Sequence, residues 1–204
     1  MPQRQLDKMF EPESVAIIGA SEKEGSVGEA LMQNVLDGYE GNIYPVNPNQ
    51  ETVMEIEAFS SVKELPEKVD VAVVAIPAKI VPDTLDECGE AGIKTAIVIS
   101  AGFSEIGKEG KELEKQLEQK RKEHNIRILG PNCLGVIRPG SNLNLSFLRK
   151  KPKKGGVAFI SQSGAMGSAI LDWAAEAKVG FSSFVSVGNM TDINFGDLID
   201  YFGE

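Results

Sequence analysis

The sequence predicts an α/β protein with a Rossmann-like, doubly wound parallel sheet, followed by the start of a second α/β domain. Three observations predict it. Short runs of aliphatic and β-branched residues recur along the chain, apolar at nearly every position, which marks strands covered on both faces. Amphipathic segments separate these runs, so each strand is followed by a helix able to cross over and cover the sheet. Turns rich in Gly, Pro and Asn sit at the ends of the runs, and the whole rhythm restarts at Gly155.

In chain order, residues 14–18 (SVAII) form a strand running into Gly19, and residues 27–36 form a helix with Val27, Ala30, Leu31 and Val35 on one face. Residues 43–46 are a second strand, ended by the turn Asn47-Pro48-Asn49. Residues 69–76 are a nearly continuous apolar strand stopped by Pro77. Residues 81–91 read as a helix with Leu85 and Cys88 inward and Gly92 after its end. Residues 95–99 are a strand, and 107–123 a long charged helix whose apolar stripe is only Leu113 and Leu117. Residues 126–129 are a further strand closed by Gly130-Pro131. These elements compose a first domain, residues 1–130.

Residues 131–154 are rich in Pro, Gly and Asn and end in the basic run Arg149, Lys150, Lys151, Lys153, Lys154; they read as an irregular connector. In residues 155–204, 156–160 and 181–187 are strands, 165–177 is a helix with Trp173 as a core residue, and 195–202 begins another helix. Two strands and two helices do not close a parallel α/β core. The stretch is therefore expected to be the N-terminal part of a second domain, completed by further sequence or by another chain.

Composition removes several function classes. With 204 residues, 42% hydrophobic and 25% charged, the chain is neither disordered nor fibrous. No apolar run approaches the roughly 20 residues of a membrane span, and MPQRQLDKMF lacks the apolar core of a signal peptide. Cys88 and Cys133 form no CxxC pair, so a reducing cytoplasm is expected, without a disulfide framework or metal knuckle. A net charge of −9 speaks against a nucleic-acid partner. The basic run reads more simply as a solvated linker than as a polyanion contact.

The chemistry lies at the strand ends. Gly19-Ala20-Ser21 follows the first strand, and Gly25 and Gly28 precede or open the first helix, where backbone N–H groups can approach a phosphate. The alternative is a plain connection; the place of this loop at the first crossover favours a ligand. The spacing is not G-x-G-x-x-G. The second strand ends without a carboxylate before Glu51, against an ordinary NAD dehydrogenase. Three more turns, at 76–79, 100–103 and 130–133, fall on the same edge, so an extended ligand is expected. Ser161-Gln162-Ser163-Gly164 opens a helix. It reads as a phosphate-binding turn or a serine N-cap, and it lacks the first glycine of a nucleophile elbow. His124 reads as a surface residue favoured by the end of the charged helix, and Cys88 as small core filler.

Six segments in one order carry a resemblance over almost the whole chain: SVAIIGAS (14–21), IYPVNP (43–48), VISAGFSE (98–105), ILGPNCLG (128–135), FISQSGAMGSAILDWA (159–174) and SVGNMTDINFGDLIDYF (186–202). The sequence resembles the α-subunit side of NDP-forming acyl-CoA synthetases, above all archaeal ADP-forming acetyl-CoA synthetase, and more distantly the α subunit of succinyl-CoA synthetase. The resemblance implies a coenzyme A site in the first domain and a flavodoxin-like second domain. Gly19, Ala20, Ser21, Gly25, Ser26 and Val27 would hold phosphates or adenosine, and Val46, Asn47 and Pro48 would line the nucleotide end. Ile76, Pro77, Ala78 and Lys79, with Ser100, Ala101 and Gly102, would flank the pantetheine. Asn132 and Cys133 would lie toward the thiol. Ser161, Gln162, Ser163 and Gly164 would receive a phosphorylated histidine.

The implied reaction converts acyl-CoA, ADP and phosphate to acid, CoA and ATP through an acyl phosphate and a phosphohistidine. Two departures follow. The phosphohistidine belongs beyond Glu204, and His124 does not match it; the nucleotide-grasping domain, with its ADP/ATP, phosphate and Mg, is also not in this sequence. This chain is therefore expected to bind CoA without turning over. A third departure is Asn49, where many relatives carry Lys. Two other readings stay open: a non-catalytic CoA-sensing module and an NAD(H)-binding domain.

Overall fold

The computed structural model describes residues 2–203. A first sheet of five parallel strands holds β1 (Ser14–Ile18), β2 (Asn42–Val46), β5 (Val71–Val74), β6 (Thr95–Val98) and β7 (Arg127–Leu129), in the order β2-β1-β5-β6-β7. A small hairpin, β3 (Thr52–Val53) and β4 (Ile56–Glu57), lies outside it.

Both faces of this sheet are dry. Along β1, Val15 and Ile17 enter one core while Ala16 and Ile18 enter another, the period-two alternation of a strand covered on both sides. Helices α1 (Pro2–Phe10) and α2 (Val27–Leu36) cover the first face through Leu6, Met9, Phe10, Leu31, Met32 and Val35. Helices α3 (Val81–Glu90) and α4 (Lys108–His124) cover the second through Val81, Leu85, Cys88 and Leu117. Asn125 ends α4 in the left-handed region, φ 53°, a conformation Asn tolerates better than most residues.

The structure corrects the sequence reading in four places. Residues 131–154 are not irregular: β8 (Gly135–Arg138) and β9 (Leu143–Ser146) form an antiparallel hairpin. That hairpin joins β10 (Lys154–Ser161) and β11 (Phe181–Ser186) in a four-stranded sheet, order β10-β11-β8-β9, with only the β10–β11 pair parallel. Trp173, on α5 (Gly164–Ala177), is 56% exposed; the helix buries Gly167, Leu171 and Ala174 instead. His124 is packed rather than free on the surface, with Nε2 2.7 Å from Asp86 Oδ1 and its ring against Gly89, where an added Cβ would lie 2.0 Å away. Finally, α1 lies in a stretch to which the pattern reading assigned no element.

The second sheet packs on the first domain. Val136, Leu143, Leu145 and Val185 share one core with β1 and α2, as does Leu198 of α6 (Phe195–Phe202), whose start is a reciprocal capping box of Asn194 and Asp197.

Candidate ligand-binding cleft

Strand order reverses between β1 and β5, so the chain leaves these neighbours toward opposite faces of the sheet and a crevice opens beyond their C-terminal ends. A hollow of about 730 Å³ lies there, between Gly19 and Ser21 on one side and Ala75, Ile76 and Pro77 on the other, with Val27 and Gly28 of α2 at its edge. Val27, Ala75 and Ile76 also line a narrower hollow of about 410 Å³, which continues past Ser100, Ala101, Asn132 and Cys133 to Gln162 and Gly164. The two make one trough along the strand ends, bridging both sheets.

Two glycines make the close approach. Gly19 has φ 91°, and a Cβ there would lie 2.3 Å from the Ala75 carbonyl oxygen. A Cβ on Gly28 would lie 2.1 Å from the carbonyl oxygen of Gly19. Helix α2 thus begins directly against the turn after β1, and its first amides lack intrahelical acceptors. Ser26 caps the helix, its Oγ accepting from Glu29 N at 3.1 Å. Gly25 N donates to the Glu29 carboxylate at 2.6 Å, so this amide is already occupied. Among the described residues, Lys23 is the one cationic side chain lining the larger hollow and Glu87 the one anionic.

The polar side chains expected to meet a ligand mostly hold the loops. Asn47 Nδ2 donates to the Ala20 carbonyl at 2.8 Å, while its Oδ1 accepts from Asn49 N at 2.9 Å. Ser100 Oγ donates to the Ile76 carbonyl at 2.6 Å and accepts from Ile76 N at 3.1 Å, tying the ends of β5 and β6. Glu105 accepts from Gly102 N and Phe103 N and from Asn189 of the second unit. Burial alone would raise its pKa, but these hydrogen bonds carry it below the usual carboxylate range.

Gly19, Ser21, Ser26, Val27, Val46, Asn47, Pro48, Ile76, Pro77, Ser100, Ala101, Asn132, Cys133, Gln162 and Gly164 all line the trough. The others do not. Ala20 is fully buried. Ala78, Lys79 and Gly102 border a separate hollow against α4. Gly25 borders a third hollow with Ser26, Phe147 and Arg149. Ser161 Oγ accepts from Ser163 N, and Ser163 Oγ accepts from Met166 N, which is the N-cap alternative of this turn. The expected phosphohistidine lies outside the described residues.

Cys133 contributes a wall, with its thiol turned inward: Sγ donates to the Val98 carbonyl at 3.3 Å, and burial pushes its pKa up to about 12, as it does for Cys88. Both thiols should resist iodoacetamide in the folded protein and react only in denaturant; alkylation of Cys133 under native conditions would contradict its inward orientation.

Sequence reasoning missed Leu134 and Phe147, which follow β7 and β9, and Ser60, Ser61, Thr84 and Glu87 at the far end of the larger hollow. These positions carry no periodic signal. Asp86, Glu123 and His124 bring three metal-type ligand atoms together on the α3–α4 face. Lys120 Nζ lies 3.0 Å from Asp86 Oδ1, so the group is already an ion-pair network.

A parallel sheet with its trough at the switch point and a helix start against a glycine turn defines an α/β unit of the nucleotide-binding class. Residues 13–139 match the CoA binding domain family, and the chain belongs to it; residues 154–204 match the succinyl-CoA ligase like flavodoxin domain. The chain is 49% identical over 191 residues to an ADP-forming acetate–CoA ligase of Methanocaldococcus jannaschii, covering 94% of this chain and 27% of that protein. It is 45% identical to the α subunit of ADP-forming acetate–CoA ligase II of Pyrococcus furiosus, covering 98% and 43%. The dinucleotide forming acetyl-coenzyme A synthetase 1 of Ca. Korarchaeum cryptofilum, solved with phosphate and ADP, superposes with a TM-score of 0.94 at 40% identity, covering 98% of this chain and 43% of that one. The chain thus spans less than half the length of these relatives. Among the described residues no helix is long and apolar enough to cross a membrane.

Proposed function

We propose that this chain is the CoA-binding portion of an ADP-forming acyl-CoA synthetase, with acetyl-CoA as its substrate. Residues 1–130 form the CoA unit and 155–204 the opening part of the ligase-type domain; 131–154 connect them and lend that domain's sheet the hairpin β8–β9. The observation that carries this reading is the shape of the trough. It is long, it starts at helix amides suited to a diphosphate, and it narrows toward a neutral, largely apolar end suited to a pantetheine arm. The adenosine end lies in the larger hollow near Pro48, and the thiol end lies between Asn132 and Gln162.

Acyl transfer would use a histidine and a nucleotide-grasping domain from the rest of the enzyme, which would also hold ADP, phosphate and Mg²⁺. The chain's own part is to bind CoA and to orient its thiol end. The work would take place in the cytoplasm, a reducing compartment in keeping with the two free cysteines.

Calorimetric titration tests the reading. CoA should bind with a single site, and NAD should show no saturable heat. Saturable NAD binding without CoA binding would replace this proposal with an NAD(H) domain. Lys23→Gln should weaken CoA binding by roughly tenfold at low salt and less at high salt, because one exposed phosphate contact is lost and is screened by ions. An affinity that is unchanged at low salt would remove Lys23 from the phosphate contacts.

A further inference from the structure

The far end of the larger hollow has a hydrogen-bonding character that the rest of the trough lacks. Three hydroxyls stand there, and each has its proton committed to the protein. Ser60 Oγ donates to Glu64 at 2.9 Å, Thr84 Oγ1 donates to the Ile80 carbonyl at 2.9 Å, and Ser61 Oγ donates to Glu87 Oε2 at 2.9 Å. Ser61 also accepts from Lys63 N, which fixes the direction of its O–H. What these groups present to the hollow is lone pairs. Glu87 adds a carboxylate oxygen, Oε1, that has no partner among the described residues. Lys63, the lysine of that turn, pairs with Glu90.

These four side chains therefore present acceptors only, and a ligand edge that satisfies them must donate; the donors that line the same hollow, Lys23 and the Asn49 amide, stand on the loops after β1 and β2. Among the parts of a CoA molecule that reach this end, the exocyclic amine of adenine is such a donor. A 6-oxopurine carries a carbonyl at that atom, which meets Glu87 with a second acceptor, and its donor shifts to the ring N1–H, one position along the edge. We propose that Glu87, held by Ser61, reads the 6-amino group of the adenine ring and makes the trough selective for adenine over 6-oxopurine. The inference rests on the CoA reading above.

Its test uses the full chain, with CoA and its 6-oxopurine analogue, deamino-CoA, as probes in calorimetric titrations. The wild type should bind CoA about tenfold more tightly than deamino-CoA, the scale of a hydrogen bond to a charged group that the analogue cannot make. Glu87→Gln can turn an amide N–H toward the carbonyl of the analogue, so it should level or reverse the preference. Ser61→Ala releases the carboxylate and should narrow the preference without reversing it. A wild type that binds both compounds equally would overturn the proposal. So would a Glu87→Gln variant that loses the same factor for both, since that pattern assigns Glu87 to a ribose hydroxyl or to the fold alone. Failure of the wild type to bind either compound would remove the CoA reading, and this inference with it.

Discussion

Gly28→Val should leave no cooperative thermal transition. A Cβ at Gly28 would lie 2.1 Å from the Gly19 carbonyl oxygen and 3.1 Å from Ser21 N, all backbone atoms of the turn after β1. No flexible side chain is there to yield, and Gly19 is itself held against the Ala75 carbonyl. Helix α2 would have to lift from the sheet, taking Leu31, Met32 and Val35 out of a core in which each is fully buried. At about 1.5–3 kcal/mol for each buried side chain, that loss is comparable to the whole stability of a small domain. Gly25 provides the contrast. It has φ 76° but nothing within 4 Å of an added Cβ, so Gly25→Ala should cost only about 1 kcal/mol from the left-handed backbone. Circular dichroism melts of both variants test this. A Gly28→Val protein melting within a few degrees of wild type would show that the helix start is not packed as described.

The same glycines show how much was legible. Apolar runs at 14–18 and 69–76 announce strands because burial on both faces leaves no polar position, and a parallel sheet then dictates which ends gather the loops. The trough was therefore readable as a set of strand-end turns. The commitments of individual side chains were not, since they depend on partners far along the chain: Asn47 on Ala20, Ser100 on Ile76, Glu87 on Ser61. The hairpin at 135–146 was hidden by its own polar residues. Asn144 and Ser146 look like loop residues, yet both are buried, with Asn144 Oδ1 accepting from Ser146 N and Oγ, and with Asn34 donating to the Ser146 carbonyl. Trp173 misled by size. The buried stripe of α5 is built from Gly167, Leu171 and Ala174, and a helix contact made by small residues is quiet in a hydrophobic pattern. Leu6, Met9 and Phe10 did carry the helical spacing of α1, over too short a span to stand out.

Asp192→Ala should destabilise the protein by about 3 kcal/mol and weaken CoA binding as well. β7 is an edge strand of the first sheet, and its free side is covered by the loop that follows β11. Thr191 N donates to the Gly130 carbonyl, Ile193 N to the Ile128 carbonyl and Asn189 N to the Pro131 carbonyl. Asp192 fastens this loop: Oδ2 accepts from Arg127 Nε at 2.9 Å and from Ile128 N at 2.8 Å, and Oδ1 lies 3.5 Å from Arg121. The side chains of Asp192 and Arg127 are only 10% and 13% exposed. Removing the carboxylate leaves a buried guanidinium with Asp197 as its remaining acidic partner, 3.3 Å away, and an edge-strand amide without its acceptor. Asp192→Asn keeps one acceptor oxygen and should lose less than half as much. The coupling to binding follows from the turn this loop holds: residues 130–132 end with Asn132, a wall of the narrow hollow, whose Nδ2 donates to Asn189 Oδ1. Urea unfolding and CoA titration of the two variants separate the effects. A loss below about 1 kcal/mol for Asp192→Ala would mean that the second unit does not brace the strand-end turn through this carboxylate.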